Sequence, residues 1–123
     1  MKVRVHDWRL SVCSLPPGWS ERLEGPFNAA IRTPSETTVI VTEGKEPANA
    51  QVEPGWMALE IEGPIPFDQV GVLLRLLAPL AQAEVPIFAV STYASDVVLI
   101  KRADSSRALE ALASAGLEIR TDG

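Results

Sequence analysis

The change of hydrophobic period across Gly63-Pro64-Ile65-Pro66 constrains this chain more than any other feature of it. Before that segment, Met57, Leu59 and Ile61 alternate with Ala58, Glu60 and Glu62, the pattern of a half-buried strand. The prolines end the strand, because proline has no N–H to give a ladder. Beyond it, Val70, Leu73, Leu74, Leu77 and Ala81 recur at i, i+3, i+4, i+7 and i+11. That spacing predicts a helix over 70–83, with Asp68 as its N-cap. Val72, Leu76 and Leu80 form a second apolar row, so the helix buries more than one face. Pro79 removes the donor to the Arg75 carbonyl and should bend the helix there.

Pro86 opens a strand through Tyr93, Ala94-Ser95 turns, and Val97 to Ile100 returns as a continuously apolar strand. Asp104 or Ser105 caps a last helix whose Ala108, Leu109, Leu112 and Ala115 face inward. Gly116 stands where a C′ glycine ends a helix, and Leu117 to Arg120 can form a final strand. From Trp56 the order is therefore β-α-β-β-α-β. With right-handed crossovers this gives one antiparallel sheet with two helices on one face, an α+β fold on the ferredoxin-like plan.

The first half is thinner. Trp8, Leu10 and Val12 alternate with Arg9, Ser11 and Cys13, while Val3 and Val5 have the opposite parity, which places a bulge or break near His6-Asp7. Pro16-Pro17-Gly18 ends the strand, Trp19 to Leu23 has room for about one helical turn, and strands follow at Phe27–Ile31 and Thr37–Thr42. The polar stretch Glu43–Pro54, with Gly44, Pro47 and Pro54, reads as a linker. The chain thus divides into an abbreviated unit with its linker, 1–50, and a complete unit, 51–123.

Composition narrows the partners. A net charge of -5 and the lack of a basic patch argue against nucleic acid and against an anionic membrane surface. The longest weakly polar stretch, 70–83, carries Arg75 and Gln82 and is too short to span a bilayer. Cys13 is the only cysteine, the start has no apolar run of a signal peptide, and a cytoplasmic location is expected. His6 and Cys13 are single and far apart, so no metal site is expected. The glycines form no G-x-G-x-x-G, phosphate loop or nucleophile elbow, so no cofactor is expected either.

One ordered series of residues goes further: Glu53-Pro54-Gly55-Trp56, Glu62-Gly63-Pro64, Phe67, Gly71, Ala78-Pro79-Leu80-Ala81, Ile87 to Tyr93, and Asp96. Together they resemble the small bacterial ACT-domain proteins related to aspartate-kinase regulatory domains and to the cytosolic arginine sensors of animals. The resemblance covers most of the chain and is strongest from Trp56 to Lys101. It implies a tandem pair of ACT-like units without catalytic residues, the first abbreviated, which forms homodimers and binds a free amino acid. The implied ligand-binding residues are Phe67, Asp68, Gln69, Val70 and Gly71 at the helix entrance, with Ser91, Thr92, Tyr93 and Asp96. The chain departs from the family pattern at Ala94, where a polar residue is common, and at Asp68, where serine is usual.

Each of these residues also has a structural reading. Gly71 falls at about the third helical position if Asp68 is the cap, where glycine costs roughly 0.5–1 kcal/mol. Either a ligand carboxylate reaches the free N–H groups there, or the glycine lets the helix pack closely on the sheet. Asp68 is a natural cap. Ser91-Thr92-Tyr93 offers hydroxyls to an ammonium or carboxylate, or follows strand propensity alone. Asp96 either pairs a ligand ammonium or finishes a turn. Three functions remain open at this level: a ligand-responsive regulatory module, a degenerate pair that only dimerises or docks, and a small enzyme built on His6. The Val72, Leu76, Leu80 row favours self-association.

Overall fold

The computed structural model describes residues 1–62 and 71–121. Its strands are β1 Lys2–Val5, β2 Leu10–Leu15, β3 Ala29–Arg32, β4 Thr37–Thr42, β5 Gln51–Ile61, β6 Phe88–Ala89, β7 Asp96–Lys101 and β8 Glu118–Thr121. The helices are α1 Val72–Gln82 and α2 Ser105–Ser114, the second entered through a 3-10 turn at Arg102–Asp104. The chain forms two compact units: a split unit of Met1–Asp7 with Met57–Gly123, and an inserted unit of Trp8–Trp56.

In the split unit, β1 pairs antiparallel with β5, Val3 opposite Ile61 and Val5 opposite Leu59. It also pairs parallel with β8, Val3 opposite Ile119. On the far side β7 lies beside β5, and β6 pairs with β7. Met57, Leu59, Ile61, Val98 and Ile100 form one core with Leu76 and Leu80 of α1 and Ala108 and Leu112 of α2. Both helices therefore cover the same sheet face, the α+β, ferredoxin-like arrangement. The sheet is mixed rather than wholly antiparallel, because the neighbour of β8 is β1 and not β5.

The inward face of α1 differs from the expected one. Leu76 and Leu80 are fully buried, with Val72, Leu73 and Leu77 packed beside them, whereas Leu74 is 64% exposed and Ala81 is exposed. A helix apolar around most of its circumference does not reveal by periodicity which row meets the sheet. The row that favoured self-association is thus consumed by the unit's own core, at about 1.5–3 kcal/mol for each buried leucine. Both helices end in a Schellman motif. In α2, Leu117 N donates to Leu112 O and Gly116 N to Ala113 O, with Gly116 at φ 89°. In α1, Val85 N donates to Leu80 O and Glu84 N to Ala81 O, with Glu84 at φ 58° in the position glycine usually takes. Ala115 is the C-cap of α2 and is exposed, not inward.

The inserted unit orders its strands β3-β4-β2-β5, all antiparallel. The register of β2 on β5 shifts between Leu10 and Val12. Past that bulge the core residues of β2 are Cys13 and Leu15, joined by Val39 and Val41, so the expected Trp8-Leu10-Val12 face does not continue. The break at His6-Asp7 is present, since β1 stops at Val5 and β2 starts at Leu10. Residues 19–24 form no helical turn. So short a segment does not recover the cost of nucleating one, yet Trp19 and Leu23 still reach the core. The linker is also shorter than expected. Gln51, Val52 and Glu53 are laddered with Ser14, Cys13 and Val12, because backbone pairing does not require an apolar side chain.

Candidate functional site

The second face of the split unit's sheet carries the polar chemistry. Val98 and Ile100 of β7 go to the helix side, yet Val97 and Leu99 are buried too, so this strand is covered on both faces. Glu60 shares the second face with Ala58, and its side chain is 27% exposed. It sits between two buried partners. His6 Nε2 lies 2.7 Å from Glu60 Oε1, and Ser95 Oγ donates to Glu60 Oε2 at 2.5 Å. A carboxylate only accepts, so His6 Nε2 carries the proton in this pair. The His6 backbone N–H donates to Ala58 O at 3.0 Å, which fixes the ring's origin beside β5.

Ser95 extends this chain of bonds into the turn between β6 and β7. Its N–H donates to Thr92 Oγ1 at 3.2 Å, Thr92 N donates to Ser95 O at 2.9 Å, and the two hydroxyl oxygens are 3.1 Å apart. Because the Ser95 proton goes to Glu60, the Thr92 hydroxyl is the donor between them. Ser91 Oγ donates to Asp96 Oδ1 at 2.8 Å, closing the base of the turn. Tyr93 stands at the tip, 83% exposed. Ser91, Thr92, Tyr93 and Asp96 thus form one compact turn, anchored from beneath by Glu60. The expected strand through Tyr93 is confined to Phe88–Ala89; beyond it, single bonds such as Val90 N to Val97 O replace a regular ladder.

Of the helix-entrance residues, Phe67, Asp68, Gln69 and Val70 lie outside the described residues. Gly71 is the N-cap of α1, at φ 80° and ψ 4°, and not a residue of the helix interior. A Cβ built there meets nothing within 4 Å among the described residues, so none of them requires a glycine for close packing. Among the described residues no side chain caps the N-terminus of α1, and the first turn of the helix holds no acidic residue. Its leading N–H groups and the partial positive charge of the helix end are suited to an anion.

His6, Glu60 and Ser95 are not arranged as a hydrolytic triad. In a hydrolytic triad the imidazole stands between the hydroxyl and the acid, so that it can take the hydroxyl proton. Here the acid stands between them, and Ser95 gives its hydrogen bond to Glu60. No three His, Cys, Asp or Glu side chains converge on a metal-sized site among the described residues. No described helix is long and apolar enough to cross a membrane. Sequence reasoning missed the joint role of His6, Glu60 and Ser95. The signal was the continuously apolar run Val97 to Ile100, which requires both faces of the sheet to be covered and therefore puts Glu60 on a covered face, in need of partners.

With this geometry in hand, the chain can be set beside known proteins. The protein Atu0741 from Agobacterium tumefaciens superposes with a TM-score of 0.90 at 26% identity, over 99% of this chain and 93% of that one. A Vibrio cholerae protein, VC0802, described as of unknown function and a possible transport protein, gives 0.75 at 17% identity, over 93% and 88%. The ligand-free regulatory subunit of aspartate kinase from Thermus thermophilus gives 0.67 at 15% identity, over 94% and 98%. The last two likenesses are likenesses of fold. No curated protein matches the chain. The ACT domain model matches residues 51–114, from the first residue of β5 to the last of α2 and more than half of the sequence, and the chain therefore belongs to the ACT domain family.

Proposed function

We propose that the chain is a non-catalytic, cytoplasmic regulatory module that binds a free amino acid and works as a homodimer. The ligand's carboxylate is taken at the uncapped N-terminus of α1 and along Phe67–Gly71; its ammonium and side chain face Ser91, Thr92, Tyr93 and Asp96. The observation that supports this reading is a hydroxyl-rich turn fixed from below yet exposed at its tip, in a unit whose α1 starts at Gly71 with no cap from any described side chain. Glu60 holds the turn before a ligand arrives, which lowers the ordering cost of binding. Dimerisation rests on the family likeness, with the exposed Leu74 as the apolar side chain that α1 leaves uncovered.

A second reading is favoured by a specific observation. Asp96 already accepts from Ser91, the Thr92 hydroxyl donates to Ser95 Oγ and Ser95 donates to Glu60, so these hydroxyls are engaged without a ligand. On that reading the chain only dimerises or docks. A thermal-shift panel of the twenty amino acids separates the two. A true ligand at 100 times its Kd contributes about 2.7 kcal/mol, a rise on the order of 10 °C for a domain this size. A flat response across the panel overturns ligand binding and favours docking. Light scattering that returns a 13.3 kDa particle across a concentration series overturns the homodimer.

A further inference from the structure

The inserted unit holds a cavity of about 230 Å³ between residues 19–24 and residues 45–48. Its origin is plain from the fold. In the split unit two helices cover the core face of the sheet, but here a short non-helical segment does so, and only Trp19 and Leu23 from it reach the core. The space that remains is close to the volume of eight waters at ~30 Å³ each. Trp19 is held in place: its indole Nε1 donates to Glu21 Oε2 at 2.9 Å, and Arg32 Nε donates to its carbonyl at 3.0 Å. A wall fixed in this way is preorganised for a ligand.

The lining has two chemistries. Trp19, Leu23 and Pro47 are apolar, while Arg22 and Lys45 are cationic. Neither the Arg22 guanidinium nor the Lys45 ammonium has a hydrogen bond or ion pair among the described residues. Glu21 on the same rim is engaged by the indole, which leaves Glu24 as its unengaged acid. Two unpaired cations beside a fixed aromatic wall match an anion with an apolar body. We propose that this cavity binds a small organic carboxylate of on the order of ten non-hydrogen atoms. Its carboxylate is held by Arg22 and Lys45, and its body lies against Trp19 and Pro47. Glu24 then meets the ammonium if the acid is an amino acid. This site shares no residue with the Ser91–Asp96 turn and stands whether or not that turn binds anything.

Amide NMR of the full chain tests it with two probes, hydrocinnamate and L-phenylalanine, which differ by the ammonium group. Saturable shifts confined to residues 19–24 and 45–48 are expected with at least one probe at concentrations up to on the order of 10 mM. Stronger binding of L-phenylalanine assigns Glu24 its part, and stronger binding of hydrocinnamate assigns a plain carboxylic acid. Replacing both cations, Arg22→Gln with Lys45→Gln, is expected to weaken binding by about tenfold or more while leaving the melting temperature in place. No saturable shift in those residues with either probe overturns the proposal. So does unchanged binding in the double variant, or inorganic phosphate binding as well as the acids.

Discussion

Replacing Gly71 by alanine probes the entrance to α1 directly. At φ 80° and ψ 4° the residue is left-handed, and an L side chain there brings its Cβ against the following carbonyl at a cost of about 1–2 kcal/mol. Two other terms can be set from the structure. Overpacking against the described residues contributes nothing, since the new methyl meets none of their atoms within 4 Å. The gain from helix propensity does not apply, because Gly71 caps the helix and is not inside it. Alanine does restrict the unfolded chain, which returns about 0.4–1 kcal/mol. The net expectation is a loss of about 0.5–1 kcal/mol, or a fall in Tm on the order of 2–5 °C. Gly71→Asn is the matched control, because asparagine tolerates the left-handed region and is itself a good N-cap. It is expected to keep the wild-type Tm. The assay is thermal unfolding of both variants, with and without the amino acids. If a ligand approaches this helix end, both added side chains suppress its stabilising effect, although only alanine strains the backbone. A Gly71→Ala protein that melts at or above wild type refutes the left-handed cap argument. A Gly71→Asn protein as unstable as Gly71→Ala shows that something other than backbone geometry demands glycine.

Glu84 offers the converse case: it is the left-handed C′ residue of α1, and Glu84→Gly should raise stability by about 0.5–1 kcal/mol in calorimetry. The Arg107 bond to the Glu84 carbonyl is unaffected by that change. Glu60→Ala removes the acceptor shared by His6 and Ser95 and should cost about 1–3 kcal/mol by urea unfolding, with Glu60→Gln costing less; equal stability of all three proteins would show that the pair contributes nothing. The Ser11 hydroxyl, donating at 2.7 Å, holds the Glu46 carboxyl below its ordinary range. Its folded pKa is below its unfolded one, so this contribution is complete above the unfolded value and is lost as pH falls through the folded value. Urea midpoints should therefore decline with acid less steeply in Ser11→Ala than in wild type.

The split unit was legible wherever a single face was buried. Met57, Leu59 and Ile61 alternate in the sequence and all three point to the helices, and Gly116 ends α2 where its position suggested. Legibility failed where an element is apolar on several sides. The leucines of α1 could not say which of them meets the sheet, and Leu74 and Leu76 exchanged places between expectation and structure. It failed again where a long-range partner decides the outcome. Nothing local to Lys2–Val5 announces β8 as its neighbour, and nothing local to Ser11 announces that its hydroxyl is taken by Glu46 and that the strand bulges there. At the site, Ser91 to Asp96 could be read as a hydroxyl-bearing turn, but the support beneath it comes from His6 and Glu60. These lie 54 residues apart in the chain, and only the sheet brings them together.

The place of β1 has a consequence for how the chain reaches its native state. It precedes the inserted unit in the chain, yet its antiparallel partner is Leu59–Ile61 and its parallel partner is Glu118–Thr121. Until β8 has been made, β1 has no complete slot to enter, and pairing over such separations is slow. The family-matched stretch 51–114 omits both β1 and β8. Expressed by itself, that stretch would present Leu59 to Ile61 along a bare strand edge, the kind of surface on which chains recruit one another into aggregates. The short segment ahead of the inserted unit therefore acts as a built-in guard strand for a domain whose remaining strands are made only after that unit is complete.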